Sequence, residues 1–165
     1  MSKRIVVVDD HDVVRQGVRL ILRNRPEWSV VDEAANGVEA VQKIKSQNPD
    51  LTILDISMPE KDGLEVLRDL KAGGMTPKVL VLSMHNSKEV IAAVRDLGAS
   101  GYILKTNAAQ DLIRAMEDIF AGGFFFPGPT PRTSQGTADE GNPSGPGRRN
   151  PLFRMQLGWS NAFSY

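Results

Sequence analysis

Four short aliphatic runs in this 165-residue chain end in side chains able to do chemistry. Ile5-Val6-Val7-Val8 runs into Asp9-Asp10, Leu51–Leu54 into Asp55, Val79–Leu82 into Ser83, and Tyr102-Ile103-Leu104 into Lys105. Three carboxylates in one cleft repel and raise one another's pKa unless a cation neutralises them. Oxygen ligands without His or Cys select a hard ion, Mg2+ or a similar divalent cation such as Mn2+. A carboxylate such as Asp55 is a competent nucleophile that can form an aspartyl-phosphate. Lys105 can pair with Asp55 first and with a phosphoryl oxygen afterwards, while the Ser83 hydroxyl serves another oxygen. Positioning and charge neutralisation are most of what phosphoryl transfer requires.

This chemistry needs the four run ends to meet, and the intervening sequence is built to make them do so. Between the runs, and beside a fifth at Val30-Val31, apolar residues recur at helical spacing: Val14, Val18, Ile21 and Leu22; Val38, Val41 and Ile44; Leu64, Leu67 and Leu70; Val90, Val94 and Leu97; Leu112, Met116, Ile119 and Phe120. Breakers separate the elements at Pro26, Gly37, Pro49, Gly73-Gly74, Pro77, Gly98 and Gly101. Three of the runs are continuous rather than alternating, as strands buried on both faces should be. Five strand–helix units predict an α/β fold with a flavodoxin-like five-stranded parallel sheet and helices on both faces. In such open sheets, sites form outside the carboxyl ends of the strands, where all of these side chains fall.

Each residue also has an ordinary reading. Asp9 or Asp10 could cap the following helix, Asp55 could be a turn residue, Lys105 a solvated charge and Tyr102 a core ring. Those readings are independent of one another, and chance must then place acid, acid, hydroxyl and base at four strand ends in order. The joint pattern favours a site.

The motifs Ile5–His11, Leu54-Asp55-Ile56-Ser57-Met58-Pro59 with Asp62-Gly63, Leu82-Ser83-Met84-His85 and Gly98–Lys105 resemble receiver domains of bacterial two-component response regulators. The resemblance covers residues 3 to about 122. It implies that Asp9 and Asp10 hold Mg2+, that Asp55 is the phospho-acceptor, and that the Ser57 main-chain carbonyl completes the metal site. It implies also that Ser83 is the switch hydroxyl, Tyr102 the switch aromatic and Lys105 the family's phosphate-binding lysine. Ser57 and His85, two residues after Asp55 and Ser83, are expected to tune hydrolysis at the site mouth. Thr106 stands where the family has proline. Gly101-Tyr102 and Gly122-Gly123-Phe124-Phe125-Phe126-Pro127 are most similar to the LuxR-type (NarL/FixJ) branch, whose members usually carry a C-terminal DNA-binding helix-turn-helix.

The whole-chain composition conceals a division. Twenty basic and twenty acidic residues cancel, so net charge selects no partner, and the lack of cysteine excludes disulfides and thiol chemistry. No N-terminal run is long enough for a signal peptide or a membrane span, which makes a cytoplasmic protein without membrane attachment the expectation. From residue 123 onward, however, stand 7 of the 15 glycines and 6 of the 10 prolines. We therefore divide the chain into a receiver domain over 1–122 and a Pro/Gly-rich tail over 123–165 that reads as disordered, a truncated or frame-shifted remnant of an output region. Its four arginines are too sparse for a DNA-binding face.

The expected function is a phosphorylation switch in a phosphorelay, with a sensor histidine kinase as donor and homodimerisation as a response. It would be no enzyme for outside substrates, assisting only its own phosphorylation and dephosphorylation. The alternative is a transcription regulator that binds DNA through an unrecognised C-terminal reader. A pseudo-receiver without phosphorylation fits poorly, because the site is complete.

Overall fold

In the computed structural model, residues 1–128 are described; the disorder, truncation and DNA-binding expectations for the tail concern residues outside that range. The chain alternates β1 (Lys3–Val8), α1 (Asp12–Leu22), β2 (Trp28–Ala34), α2 (Gly37–Gln47), β3 (Leu51–Asp55), α3 (Gly63–Ala72), β4 (Val79–Ser83), α4 (Lys88–Asp96), β5 (Gly101–Leu104) and α5 (Ala108–Phe120). The five strands form one parallel sheet in the order β2-β1-β3-β4-β5. This is the flavodoxin-like fold expected from the periodicity.

Successive side chains on a strand point to opposite faces, so the continuous aliphatic runs feed two cores at once. Val6 and Val8 join Ala40 and Ile44 of α2, Val66, Leu67 and Leu70 of α3, and Ile91 and Val94 of α4. Ile5 and Val7 join Val18 and Leu22 of α1 and Leu112, Ala115, Met116 and Ile119 of α5. From β1 the chain passes to β2 on one side and returns to β3 on the other. The carboxyl ends of β1 and β3 therefore flank the topological switch point, where α/β sheets bind ligands.

Two local readings are corrected. The Val30-Val31 run is the centre of a seven-residue strand, with a bulge: Ile5 pairs with Val30 but Val6 with Asp32. Val38 is exposed, and Ala40 and Ile44 carry the inner face of α2. Gly37 stands at the β2–α2 boundary, as expected of an element breaker, and a Cβ there would lie 2.4 Å from the Lys61 carbonyl oxygen, so it also serves a close approach. At the other end, the described chain stays on the domain beyond 122, with Phe125 and Phe126 packed against the two cores. Among the described residues, no helix is long and apolar enough to cross a membrane.

Candidate functional site

The fold brings Asp9, Asp10, Asp55 and Lys105 together. Asp9 and Asp55 are each 1% exposed, having been carried to the rim by buried strands. Lys105 follows β5 directly, and its Nζ lies 2.7 Å from Asp9 Oδ2 and 3.1 Å from Asp55 Oδ2. Thr106 sits in the 3-10 turn Lys105–Asn107 that leads into α5, so the departure from proline leaves the lysine in place.

Gly63 explains how Asp55 is held. A Cβ on Gly63 would be 2.5 Å from the Asp55 carbonyl oxygen and 2.8 Å from Ile56 Cα, so only glycine lets α3 begin directly on the strand end. Asp62 caps α3 in a reciprocal capping box with Glu65, fixing that start. Asp55 Oδ1 accepts the Ser57 backbone N–H at 3.1 Å.

Neither acid of the first pair is the helix cap. His11 occupies that position, and no side chain caps α1. Asp9 Oδ1 accepts the His11 backbone N–H at 2.8 Å, while Asp9 Oδ2 and Asp55 Oδ2 share the single Lys105 ammonium and Asp10 Oδ1 faces His11 Nδ1. One cation between two buried carboxylates leaves negative charge uncompensated.

The electrostatics point the same way. Ligand atoms of Asp9, Asp10, His11 and Asp55 all lie within 4.8 Å of one another. At that separation and an effective dielectric of ~20, each carboxylate pair repels by about 3 kcal/mol. Three carboxylates against one ammonium leave two negative charges in excess, the charge of one divalent cation. Burial and the neighbouring Asp9 push the Asp55 carboxyl above the usual aspartate range, against the pull of Lys105 and the Ser57 N–H. Burial opposes the Lys105 charge, yet Asp9 and Asp55 together lift it above the ordinary lysine value. The pocket is thus an acidic site able to hold a divalent metal ion.

The structure adds one residue that the oxygen-only expectation passed over. The His11 Nδ1 lies 3.0 Å from Asp10 Oδ1 and 3.3 Å from Asp9 Oδ1, so an imidazole stands at the edge of the carboxylate set. Its position directly after Asp9-Asp10 was the available signal.

The mouth residues meet as well. His85 Nε2 is 3.1 Å from Ser57 Oγ, joining the β3 and β4 loops above the pocket. The His85 backbone N–H donates to Ser83 Oγ at 3.0 Å, and Ser83 is fully buried. The Tyr102 ring is fully buried, as a core ring would be, and its hydroxyl donates to the His85 carbonyl oxygen at 2.6 Å. Burial raises its phenol pKa, partly offset by the nearby Ser83 hydroxyl.

Comparisons with known proteins agree with this geometry. The response regulator receiver domain family matches residues 5–117. The transcriptional regulatory protein DegU of Brevibacillus brevis is 41% identical over 122 residues, 74% of this chain and 52% of that protein. The nitrate/nitrite response regulator NarL of Escherichia coli K12 is 36% identical over 118 residues, covering 72% of this chain and 55% of NarL. Among solved structures, a LuxR-family two-component response regulator from Aurantimonas sp. SI85-9A1 superimposes with a TM-score of 0.72 at 33% identity, over 76% of this chain and 89% of that one. The chain spans about half the length of these curated relatives.

Proposed function

The chain belongs to the response-regulator receiver family, on its LuxR-type branch, and we propose that its Asp55 accepts a phosphoryl group from a sensor histidine kinase. The observation that carries this reading is the pair of buried carboxylates, Asp9 and Asp55, sharing one ammonium with a third carboxylate, Asp10, beside them. Asp9, Asp10, Asp55 and the Ser57 main-chain carbonyl would hold a hard divalent cation, Mg2+ or Mn2+. When bound, that ion neutralises the carboxylates and draws in phosphoryl oxygens.

Asp55 is the nucleophile. The Ser57 N–H orients one of its oxygens, and Lys105 is placed to follow the charge from the carboxylate to the phosphoryl group. Ser83 donates its hydroxyl to a phosphoryl oxygen. That reorganises the His85 segment bonded to it and to the Tyr102 hydroxyl, so the surface of α4 and β5 changes and serves as the partner or homodimer face. The Ser57–His85 contact covers the mouth and sets water access, hence the phosphate lifetime. The protein assists its own phosphorylation and dephosphorylation and acts on no outside substrate in the cytoplasm.

The test is intact mass after a small-molecule acyl phosphate donor. We expect one added phosphoryl group with Mg2+ and none in excess chelator; full labelling in chelator overturns the reading.

A second reading has specific support. DegU is named a transcriptional regulator, and this chain covers half of it. A full-length regulator acting on DNA would show a shift with a duplex at low salt, where phosphate contacts are strongest. A chain that signals through its receiver alone would show none.

A further inference from the structure

Beyond α5 the described chain, to residue 128, returns to the sheet edge. Gly122 turns it back with φ of +90°, and Gly123 donates its N–H to the Asp118 carbonyl at 2.9 Å. Phe125 then pairs in parallel with Gly101 on the outer edge of β5. The Phe125 N–H donates to the Ser100 carbonyl at 3.0 Å, and the Tyr102 N–H donates to the Phe125 carbonyl at 2.7 Å. The seat is shaped for this strap: a Cβ on Gly101 would stand 2.8 Å from the Phe125 carbonyl oxygen.

Consecutive rings go to opposite faces, as strand geometry requires. Phe125 packs with the α1–α5 core beneath Arg114, whose guanidinium is 6.0 Å from the ring centre. Phe126 packs with the core that holds Tyr102, and Arg95 of α4 lies 4.4 Å over its ring. Pro127 has no N–H to offer the Tyr102 carbonyl, so the pairing cannot be extended by that residue. The strap is therefore a one-residue β-bridge on the β5 edge, held by two main-chain hydrogen bonds and two rings.

Tyr102 is the residue common to the strap and the site. Its amide holds Phe125, and its hydroxyl holds the His85 carbonyl. From His85, one bond runs to Ser83 Oγ and another to Ser57 Oγ, and the Ser57 N–H reaches Asp55. Hydrogen bonds thus connect Asp55 to Phe125 without a gap longer than one residue. The Tyr102 ring is fully buried, and close-packed interiors transmit small shifts.

We propose that the Phe124–Phe126 strap is the output contact of the switch, its attachment to β5 set by Tyr102 and thereby by the state of Asp55. This rests on the reading of Asp55 as a phospho-acceptor. The strap lies on the β5 edge beside α4 and α5, so it occupies in cis part of the surface assigned above to partners. A change at Asp55 reaches the strap through four hydrogen bonds, by way of Ser57, His85 and Tyr102, without any second molecule.

Amide exchange in the full chain, resolved by NMR, tests this in two arms. In the first, exchange is followed before and after phosphorylation, with occupancy read by intact mass on the same sample. The Phe125 amide should change its exchange rate about threefold or more while the Val7 amide in β1 stays as it was. An unchanged Phe125 rate at full occupancy overturns the proposal; absent phosphate, the failure is of the Asp55 reading instead. The second arm needs no phosphate. Tyr102→Phe removes the hydroxyl that bonds the His85 carbonyl and lies near Ser83, and should speed Phe125 exchange in the untreated protein. Arg95→Gln, at the strap's other anchor, should do so as well. An unaltered Phe125 rate in Tyr102→Phe overturns the coupling whether or not Asp55 takes phosphate.

Discussion

Glu33 and Asp55 are both carboxylates on strands of the same sheet, and their surroundings have opposite character. Glu33, on β2, receives Arg19 on one oxygen and the Arg15 Nε at 3.2 Å on the other. The Arg19 hydrogen bond, working against partial burial and joined by Arg15, holds its carboxyl below the usual glutamate range. Asp55 is more deeply buried, has a like charge for a neighbour and shares its one ammonium with Asp9. Its carboxyl is pushed up by that burial and by Asp9. A structural carboxylate is satisfied by the fold. The one at the strand end is left in want of positive charge, which is the condition for binding a cation and then a phosphoryl group.

The sharpest way to break this contrast is to neutralise each carboxylate in turn. Asp55→Asn should abolish phosphorylation and, in metal-free buffer, raise stability by about 1 kcal/mol, because one of two buried like charges is gone. Glu33→Gln should leave labelling intact and lower stability by about 1 kcal/mol through the weakened arginine pairs. Intact mass and denaturant unfolding read both effects. If the two variants behave alike, the distinction between satisfied and unsatisfied charge fails.

At Lys105 a smaller but still large effect is expected. Lys105→Ala should slow labelling about 100-fold, since the charge that follows the phosphoryl group is lost. Asp10→Ala should weaken Mg2+ affinity about 10-fold or more and reduce labelling in proportion, as isothermal titration would show.

pH separates the two carboxylates again. Asp55 has its pKa raised on folding, so its contribution to metal-free stability is full below the ordinary aspartate range and is lost as pH rises through the raised value. Glu33 has its pKa lowered, so its contribution is full above the ordinary glutamate range and is lost as pH falls through the lowered value. Unfolding curves across the acid range should therefore show Asp55→Asn gaining on the parent as pH rises, and Glu33→Gln losing ground. Saturating Mg2+ should remove the first trend and spare the second.

The smallest effect lies at the mouth. Ser57→Ala and His85→Ala each remove one end of the 3.1 Å contact over the pocket and should change the phosphate lifetime a few-fold without preventing phosphorylation. Decay of phosphorylated protein measured by mass gives the answer, and equal lifetimes in all three proteins exclude the role.

What could be read from sequence follows from where the information is local. An aliphatic run that stops at an acid, a hydroxyl or a lysine reveals both strand and site, because parallel sheets align their carboxyl ends; Asp9, Asp55, Ser83 and Lys105 were legible for that reason. β2 was legible only at its centre, since an edge strand with a bulge mixes buried Trp28 with arginine-paired Glu33 and shows no clean period. Val38 misled because valine spacing alone does not say which face of α2 meets the sheet. His11 beside the acidic pocket and the Phe125 bridge are tertiary facts. The seat of that bridge, Gly101, becomes intelligible only when the opposing backbone is in place.

The central claim is that Asp55 takes the phosphoryl group because the fold leaves its charge unmet. Borohydride trapping of the acyl phosphate, followed by peptide mapping of protein labelled in Mg2+, tests it most directly. The modified residue should be Asp55 alone, with Asp9 and Asp10 unmodified. Modification at Asp9 or Asp10, or at Asp55 equally with and without the cation, would contradict it.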